Sequence, residues 1–322
     1  MMEKWLIGVD LGGTTTKLAF ITCDGEIVHK WEIPTDTSNK GQNITKNIAK
    51  AIDEKLAELG ENKDRILGIG MGAPGPVNTE MGVIYEAVNL GWSNYPLQEE
   101  LAKETGLSVI VENDANIAAV GEMWKGAGSG AKDLVCITLG TGVGGGVIAN
   151  GSLVQGASGA AGEIGHITVV ANNGYNCNCG KTGCLETVAS ATGIVRVALE
   201  KIGEFPNSAL AVILNQEGKI TAKDVATCAQ QGDEYAVMVL DRVTNYLGLS
   251  LANVASVLNP EKIVIGGGVS KAGDILLNSI NKYFQQYSFV RVRESTSLAI
   301  ATLGNDAGVI GAAWLVKNQF LK

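Results

Sequence analysis

The feature that most constrains how this chain can fold is a unit that occurs twice: an apolar strand that empties into glycines, a second strand, then a tight turn. In the fuller copy, Val135 to Leu139 run into Gly140-Thr141-Gly142 and Gly144-Gly145-Gly146, and Val147 to Ala149 lead to an Asn150-Gly151 hairpin turn. In the other copy, Leu6 to Asp10 reach Gly12-Gly13-Thr14, followed by Lys17 to Ile21, an Asp24-Gly25 turn and Glu26 to Val28. A loop so poor in Cβ atoms lets backbone N–H groups approach an anion closely, which suits a phosphate. For one such loop alone, a β-bulge or a close backbone crossing is the alternative. Two copies roughly 130 residues apart imply a duplicated α/β architecture with a nucleotide held between two lobes. Asp10, beside the first glycines, is placed to hold a magnesium ion or its water; a turn-capping role is the alternative.

With 322 residues the chain is long enough for about two domains. Its longest apolar runs are of strand length, so no membrane span is expected. Met1 to Trp5 lack the apolar core of a signal peptide, and a cytoplasmic protein is expected. A net charge of -8 argues against nucleic acid as a partner, because no basic patch exists to displace counterions. An anionic ligand must then be held by backbone N–H groups and a metal. Glycine, 42 of 322 residues, clusters after strands, which fits ligand loops better than linkers.

Between the copies, Gln42 to Leu59 carry a helical apolar face ending at Gly60, and Ile66 to Met71 read as a buried strand leading to Gly72-Ala-Pro-Gly75-Pro-Val77. Two prolines fix that loop, and Gly75 between them calls for an unusual backbone. Val83 to Ala87 read as a short strand, and the Asn89 amide in the loop after it can serve a ligand hydroxyl or simply the turn. Ser108 to Glu112 form a strand that meets a helix at Asn113-Asp114, the end of a strand where open α/β sheets place ligands. Asp114 is either an N-cap or a general base for a substrate hydroxyl. A helix N-terminus is expected to depress its pKa, and phosphoryl transfer asks little of its base.

Glu163-Ile-Gly-His166 and Cys177-Asn-Cys179-Gly-Lys-Thr-Gly-Cys184-Leu-Glu186 flank a segment almost without apolar residues. Such a segment needs another constraint, and His166, Cys177, Cys179 and Cys184 form the Cys3His set of a closed structural zinc site. A disulfide is the rival reading. Glu163 and Glu186 bracket the set, where fixed carboxylates can accept hydrogen bonds from sugar hydroxyls. Cys23, Cys136 and Cys228 are expected to act as small buried hydrophobes, and His29 to lie on the surface. Further expected elements are helices at Thr187 to Ile202, from Thr221, at Glu234 to Leu258 and at Asp306 to Phe320, with strands at Lys262 to Ile265 and Ser297 to Leu303. Gly266-Gly267-Gly268 form a third glycine loop, suited to a flat adenine and ribose and expected to open a helix.

Together, Asp10-Leu-Gly-Gly-Thr14, Glu112-Asn-Asp-Ala-Asn116, Leu139-Gly-Thr-Gly-Val-Gly-Gly-Gly146, Glu163-Ile-Gly-His166 and Cys177-x-Cys-Gly-x-x-Gly-Cys184-x-Glu186 resemble the ROK family (repressor, open reading frame, kinase), and within it the Bacillus-type glucokinases. The resemblance covers essentially the whole chain. It implies an actin-like ATPase fold of the ribonuclease H-like type, with two α/β lobes around a cleft. Residues 1–117 would form the small lobe, to which 305–322 return, and 118–304 the large lobe with the zinc loop. It implies ATP-dependent phosphorylation of glucose at the 6-hydroxyl, with N-acetylmannosamine, mannose or fructose as alternative acceptors and a sugar-independent ATPase as a different class.

By the same resemblance Asp114 is the catalytic base, and Gly75, Asn89, Asn113, Glu163, His166 and Glu186 serve the sugar. Gly12, Gly13, Thr14, Thr141 and Gly142 cradle the phosphates, Asp10 serves magnesium and Gly267 faces the adenosine. His166 would use one ring nitrogen for zinc and the other for the sugar. Many relatives place a lysine directly after the first glycine-threonine loop, whereas Thr15 and Thr16 precede Lys17 here, leaving its role open. A strand from about Leu6 leaves no room for the N-terminal helix-turn-helix of the family's repressors. Family members commonly form dimers or tetramers, a dimer being favoured.

Overall fold

The computed structural model describes residues 3–321; residues 1, 2 and 322, at the ends of the expected small lobe and its returning helix, lie outside the described residues. The described chain divides into two compact units. One holds the residues up to Gly130, the segment Leu153–Ala161 and the stretch from Leu303; the other holds Ala131–Ser152 and Gly162–Thr302.

Strands of the first unit are β1 (Trp5–Leu11), β2 (Thr15–Thr22), β3 (Ile27–Pro34), β4 (Ile66–Ala73), β5 (Val77–Asn78), β6 (Val83–Ala87), β7 (Trp92–Tyr95) and β8 (Val109–Asn113). Five of them form one sheet in the order β3-β2-β1-β4-β8, with β1, β2 and β3 antiparallel and β4 and β8 added parallel. Trp5, Ile7, Val9 and Leu11 face Ile48 and Ile52 of the helix Ile44–Glu58 and Leu97 and Leu101 of the helix Leu97–Thr105. Leu6, with Ala19 and Ile21, faces Val309, Ile310, Ala313 and Val316 of the final helix, Ala307–Phe320. Both faces are covered, so β1 reads as a continuous apolar run instead of an alternating one. Each fully buried Leu or Ile contributes about 1.5–3 kcal/mol.

The second unit repeats this plan with β9 (Leu134–Leu139), β10 (Val143–Ala149), β11 (Ser152–Leu153), β12 (Lys262–Gly266) and β13 (Ser297–Ile300) in the order β11-β10-β9-β12-β13. Here β10 is antiparallel to β9, while β12 and β13 run parallel to it. The sequence echo is therefore a topological duplication. Asn150 and Gly151 both have positive φ, 52° and 72°, as the expected two-residue hairpin turn requires. The helix Glu234–Leu258 is capped by Asp233 and ends at left-handed Asn259, just before Pro260.

Five local expectations need correction. The helix expected over Thr187 to Ile202 breaks at Ser190, giving Glu186–Ala189 and Ala191–Lys201. The last strand stops at Ile300, and the third glycine loop leads into a short 3-10 turn, Gly268–Ala272, before the helix Asp274–Tyr287. His29 is a half-buried β3 residue edge-on to Trp5, not a surface residue. Cys136 and Cys228 are buried as expected, whereas Cys23 is partly exposed.

Candidate active site

In the first unit, β1 delivers Asp10 and turns through Gly12-Gly13-Thr14 into β2. The turn is held by Gly12 N–H donating to the Thr15 carbonyl (3.1 Å), by Thr35 N–H donating to the Thr14 carbonyl, and by Thr35 Oγ1 donating to the Gly12 carbonyl (2.8 Å). A Cβ on Gly13 would lie 2.9 Å from Asn89 Nδ2, so the Asn89 amide adjoins this loop. Lys17, directly across from Asp10 on β2, places its Nζ 3.6 Å from the Asp10 carboxylate. Burial pushes the Asp10 carboxyl up, and Lys17 works against that shift.

The Asn113-Asp114 turn joins β8 to the helix Asp114–Lys125. Asn113, not Asp114, is the N-cap: its Oδ1 accepts from Ala115 N–H (2.9 Å) and Asn116 N–H (3.2 Å), and its Nδ2 donates to the Gly75 carbonyl (3.1 Å). Gly75 has φ +93°, and a Cβ there would stand 2.1 Å from the Glu86 carbonyl, so the Pro-Gly-Pro loop has no room for another residue. Asp114, freed from capping, presents its carboxyl to solvent beside crowded protein. Desolvation pushes its pKa up to about 6, against the hydrogen bond from Ala115 N–H, with Asp10 adding a smaller upward push. The expected depression by the helix terminus is thus reversed, because desolvation exceeds the terminal dipole.

In the second unit, Gly140-Thr141-Gly142 is fixed from outside. Ala191 N–H donates to the Gly140 carbonyl (2.8 Å), and Thr192 Oγ1 to the Thr141 carbonyl (3.1 Å). The helix break at Ser190 makes this possible: Ser190 caps the new helix through Gly193 N–H and aims its first residues at the loop. Ser190-x-x-Gly193 was the available sequence signal. Glu186 Oε2 accepts from Val143 N–H (2.9 Å), and a Cβ on Gly142 would be 2.4 Å from it. Gly267 packs on the end of β9, where a Cβ would be 2.5 Å from the Leu139 carbonyl.

Beside these lies the four-residue cluster. One ligand atom each from His166, Cys177, Cys179 and Cys184 lies within 4.8 Å of every other. Cys177, Cys179 and Cys184 carry free thiols, and the Cys179 and Cys184 sulfurs are 3.7 Å apart, too far for a disulfide. Tetrahedral zinc with Zn–S bonds of about 2.3 Å separates its sulfurs by about 3.8 Å, so the residues fit a zinc ion. Burial pushes Cys177 up and Cys184 up to about 12, so thiolates at these two need a bound cation, while the backbone hydrogen bond from Lys181 holds Cys179 down. His166 turns Nδ1 toward Cys177 (3.6 Å) and Nε2 toward the Glu163 carboxylate (3.7 Å). Glu186 Oε1 stands 3.8 Å from Cys177 Sγ, so one carboxylate adjoins both the cluster and the glycine loop. Among the described residues, no helix is long and apolar enough to cross a membrane.

Comparison with known proteins places the chain. The model of the ROK family matches residues 6–319. The chain is 57% identical to the glucokinase of Halalkalibacterium halodurans over 99% of its own length and 97% of that protein. It is 39% identical to the Thermotoga maritima glucokinase, over 99% of each chain. Among solved structures, a ROK family glucokinase from Streptomyces griseus in complex with glucose and AMPPNP matches with a TM-score of 0.79 and 36% identity, covering 98% of this chain and 99% of that one. With a doubled sheet topology, paired glycine loops and a family match over nearly its whole length, the chain belongs to the ROK family.

Proposed function

We propose that this protein is an ATP-dependent glucokinase that transfers the γ-phosphoryl group of ATP to the 6-hydroxyl of glucose. The observation that carries the reading is Asp114: a carboxyl at the end of β8, not consumed as a helix cap and shifted to about 6, has the character of a general base near neutral pH. Identity to curated glucokinases over essentially the full length supports the acceptor.

Asp114 would take the 6-hydroxyl proton as the phosphoryl group moves in line, in a loose transition state where positioning and electrostatics supply most of the rate. Asn113, Gly75 and Asn89 on the first unit, and Glu163, His166 and Glu186 on the second, are assigned to the sugar. Asn113 brings mainly a donor, since its carbonyl is committed to the cap. Gly12, Gly13, Thr14, Thr141 and Gly142 are assigned to the phosphates, Gly267 to the adenosine and Asp10 to magnesium, which neutralises phosphate charge when bound. His166, Cys177, Cys179 and Cys184 would hold a structural zinc. ATP as co-substrate supports a cytoplasmic location.

ADP release should be measured across glucose, mannose, fructose and N-acetylmannosamine. Glucose is expected to give by far the highest kcat/KM; preference for another sugar would move the assignment within the family, and sugar-independent turnover would make the protein an ATPase. Exhaustive chelation, verified by metal analysis, is expected to raise KM for glucose about tenfold, the scale for loss of a metal's supporting shell. KM for ATP should rise as well, because Glu186 also holds Val143 in the glycine loop. Unchanged kinetics after proven metal loss would make the metal incidental.

A further inference from the structure

Glu112, the residue before the Asn113-Asp114 turn, is 3% exposed, yet it carries a carboxyl that the mechanism does not use. Its Oε1 accepts from Asn113 N–H (2.8 Å) and from Asn116 Nδ2 (3.0 Å). Its Oε2 accepts from Gln155 Nε2 (2.8 Å), and Gln155 Oε1 in turn accepts from Thr79 Oγ1 (2.7 Å). A buried carboxyl is costly unless its oxygens are satisfied, and the three donors here come from two places in the chain. Two belong to the turn carrying Asp114. The third belongs to Leu153–Ala161, the excursion by which the chain enters the first unit after β11. That segment is seated on the Gly75 loop side: a Cβ on Gly159 would be 2.4 Å from the Val77 carbonyl, and Gln155 closes its own loop by accepting Ala161 N–H.

We infer that Glu112 and Gln155 form a positioning pair that sets the Asn113-Asp114 turn, so that the 153–161 segment controls how the base is presented. The inference rests on Asp114 being the base of a sugar kinase. Glu112 fixes the turn from beneath through Asn113 N–H and Asn116, while Asn113 Nδ2 fixes it sideways to Gly75. Gln155 is the outermost link, and among the described residues its side-chain amide joins the segment to the carboxylate. Thr79 Oγ1 holds the far end of that amide, and the carboxylate, which only accepts, turns Nε2 toward Glu112.

Gln155→Leu keeps the side-chain volume but leaves one Glu112 oxygen buried without its donor, which frees the carboxylate to turn away. Misplacing a reacting group by about 1 Å can cost about a hundredfold in rate, so a partial shift is expected to lower kcat about tenfold. KM for glucose should rise through the Asn113 to Gly75 link, while KM for ATP stays within about twofold, because the phosphate loops are untouched. Glu112→Gln is the rescue variant: its amide still accepts from the turn, and the Gln155 amide can reverse to accept from the new N–H, so kcat should stay within about threefold of wild type.

The test is steady-state kinetics of wild type, Gln155→Leu, Glu112→Gln and Asp114→Ala, with thermal melting of each. The expected pattern is a kcat loss in Gln155→Leu without a comparable rise in KM for ATP, near-normal Glu112→Gln, and Asp114→Ala lowest. Wild-type kcat and sugar KM in a folded Gln155→Leu would overturn the pair while leaving the kinase reading intact. Equal damage to ATP and sugar kinetics would overturn it too, as general loosening. If wild type phosphorylates no sugar, or Asp114→Ala is fully active, the functional reading falls and the positioning role with it.

Discussion

Replacing Asp114 with alanine is expected to lower kcat for glucose phosphorylation by at least about a hundredfold, the scale of general-base catalysis, with the fold intact. The fold should survive because Asn113, not Asp114, caps the helix, and the Asp114 carboxyl accepts from its sequence neighbours, Ala115 N–H among them. Asp114→Asn sharpens the test. A carboxyl with a pKa raised to about 6 prefers its protonated form in the folded state, so the charge opposes folding above that pH and the opposition vanishes below the ordinary carboxylate range. The asparagine variant should therefore melt higher than wild type at pH 8 and equally at pH 4, while losing activity. In wild type, kcat/KM should fall about tenfold per pH unit below about 6, where the base is protonated. Near-normal turnover in Asp114→Ala would remove the assignment.

What the sequence disclosed follows from which forces are local. Apolar runs ending in glycines located β1, β4, β9 and β12, since a strand covered on both faces needs no partner to be recognised. Asn150-Gly151 predicted its own turn, and a segment lacking apolar residues announced that one histidine and three cysteines gather there. The misses share a cause. Ser190 breaks a helix because its hydroxyl captures Gly193 N–H and the freed Ala191 N–H finds Gly140, about fifty residues earlier in the chain. Asp114 is shifted upward by surroundings that its own turn does not reveal. Glu112 stood in a motif quoted for its neighbours, and its role appears only when Gln155 arrives from the far side of a hairpin. Local chemistry was legible where the partner was near in sequence, and illegible where tertiary closure supplied it.

The largest effect on stability is expected from Gly70→Ala. Gly8 and Gly70 are side by side on β1 and β4, beneath the helix Ala307–Phe320. A Cβ on Gly70 would stand 1.8 Å from the Ala312 carbonyl oxygen, and one on Gly8 1.9 Å from that of Val309. These obstacles are backbone, so no rotamer change relieves them; the helix itself must rise off the sheet. It cannot rise alone, because Gly311 packs against the Ile117 carbonyl and Gly121 against that of Ala307, locking it to the helix that begins at Asp114. Lifting it opens the core formed by Leu6, Ala19, Ile21 and Val309. Overpacking in a close-packed core costs about 1–3 kcal/mol, and this case belongs at or above the upper end. At about 2–4 °C per kcal/mol for a unit of this size, Tm should fall by about 6–12 °C. Activity should fall further than stability alone predicts, since the displaced helix carries Asp114 with it. Gly203→Ala, where no atom of the described residues lies within 4 Å of the added Cβ, is the control and should melt within about 1 °C of wild type. A Gly70→Ala protein melting like that control would mean that the final helix is not held at the distance these glycines allow.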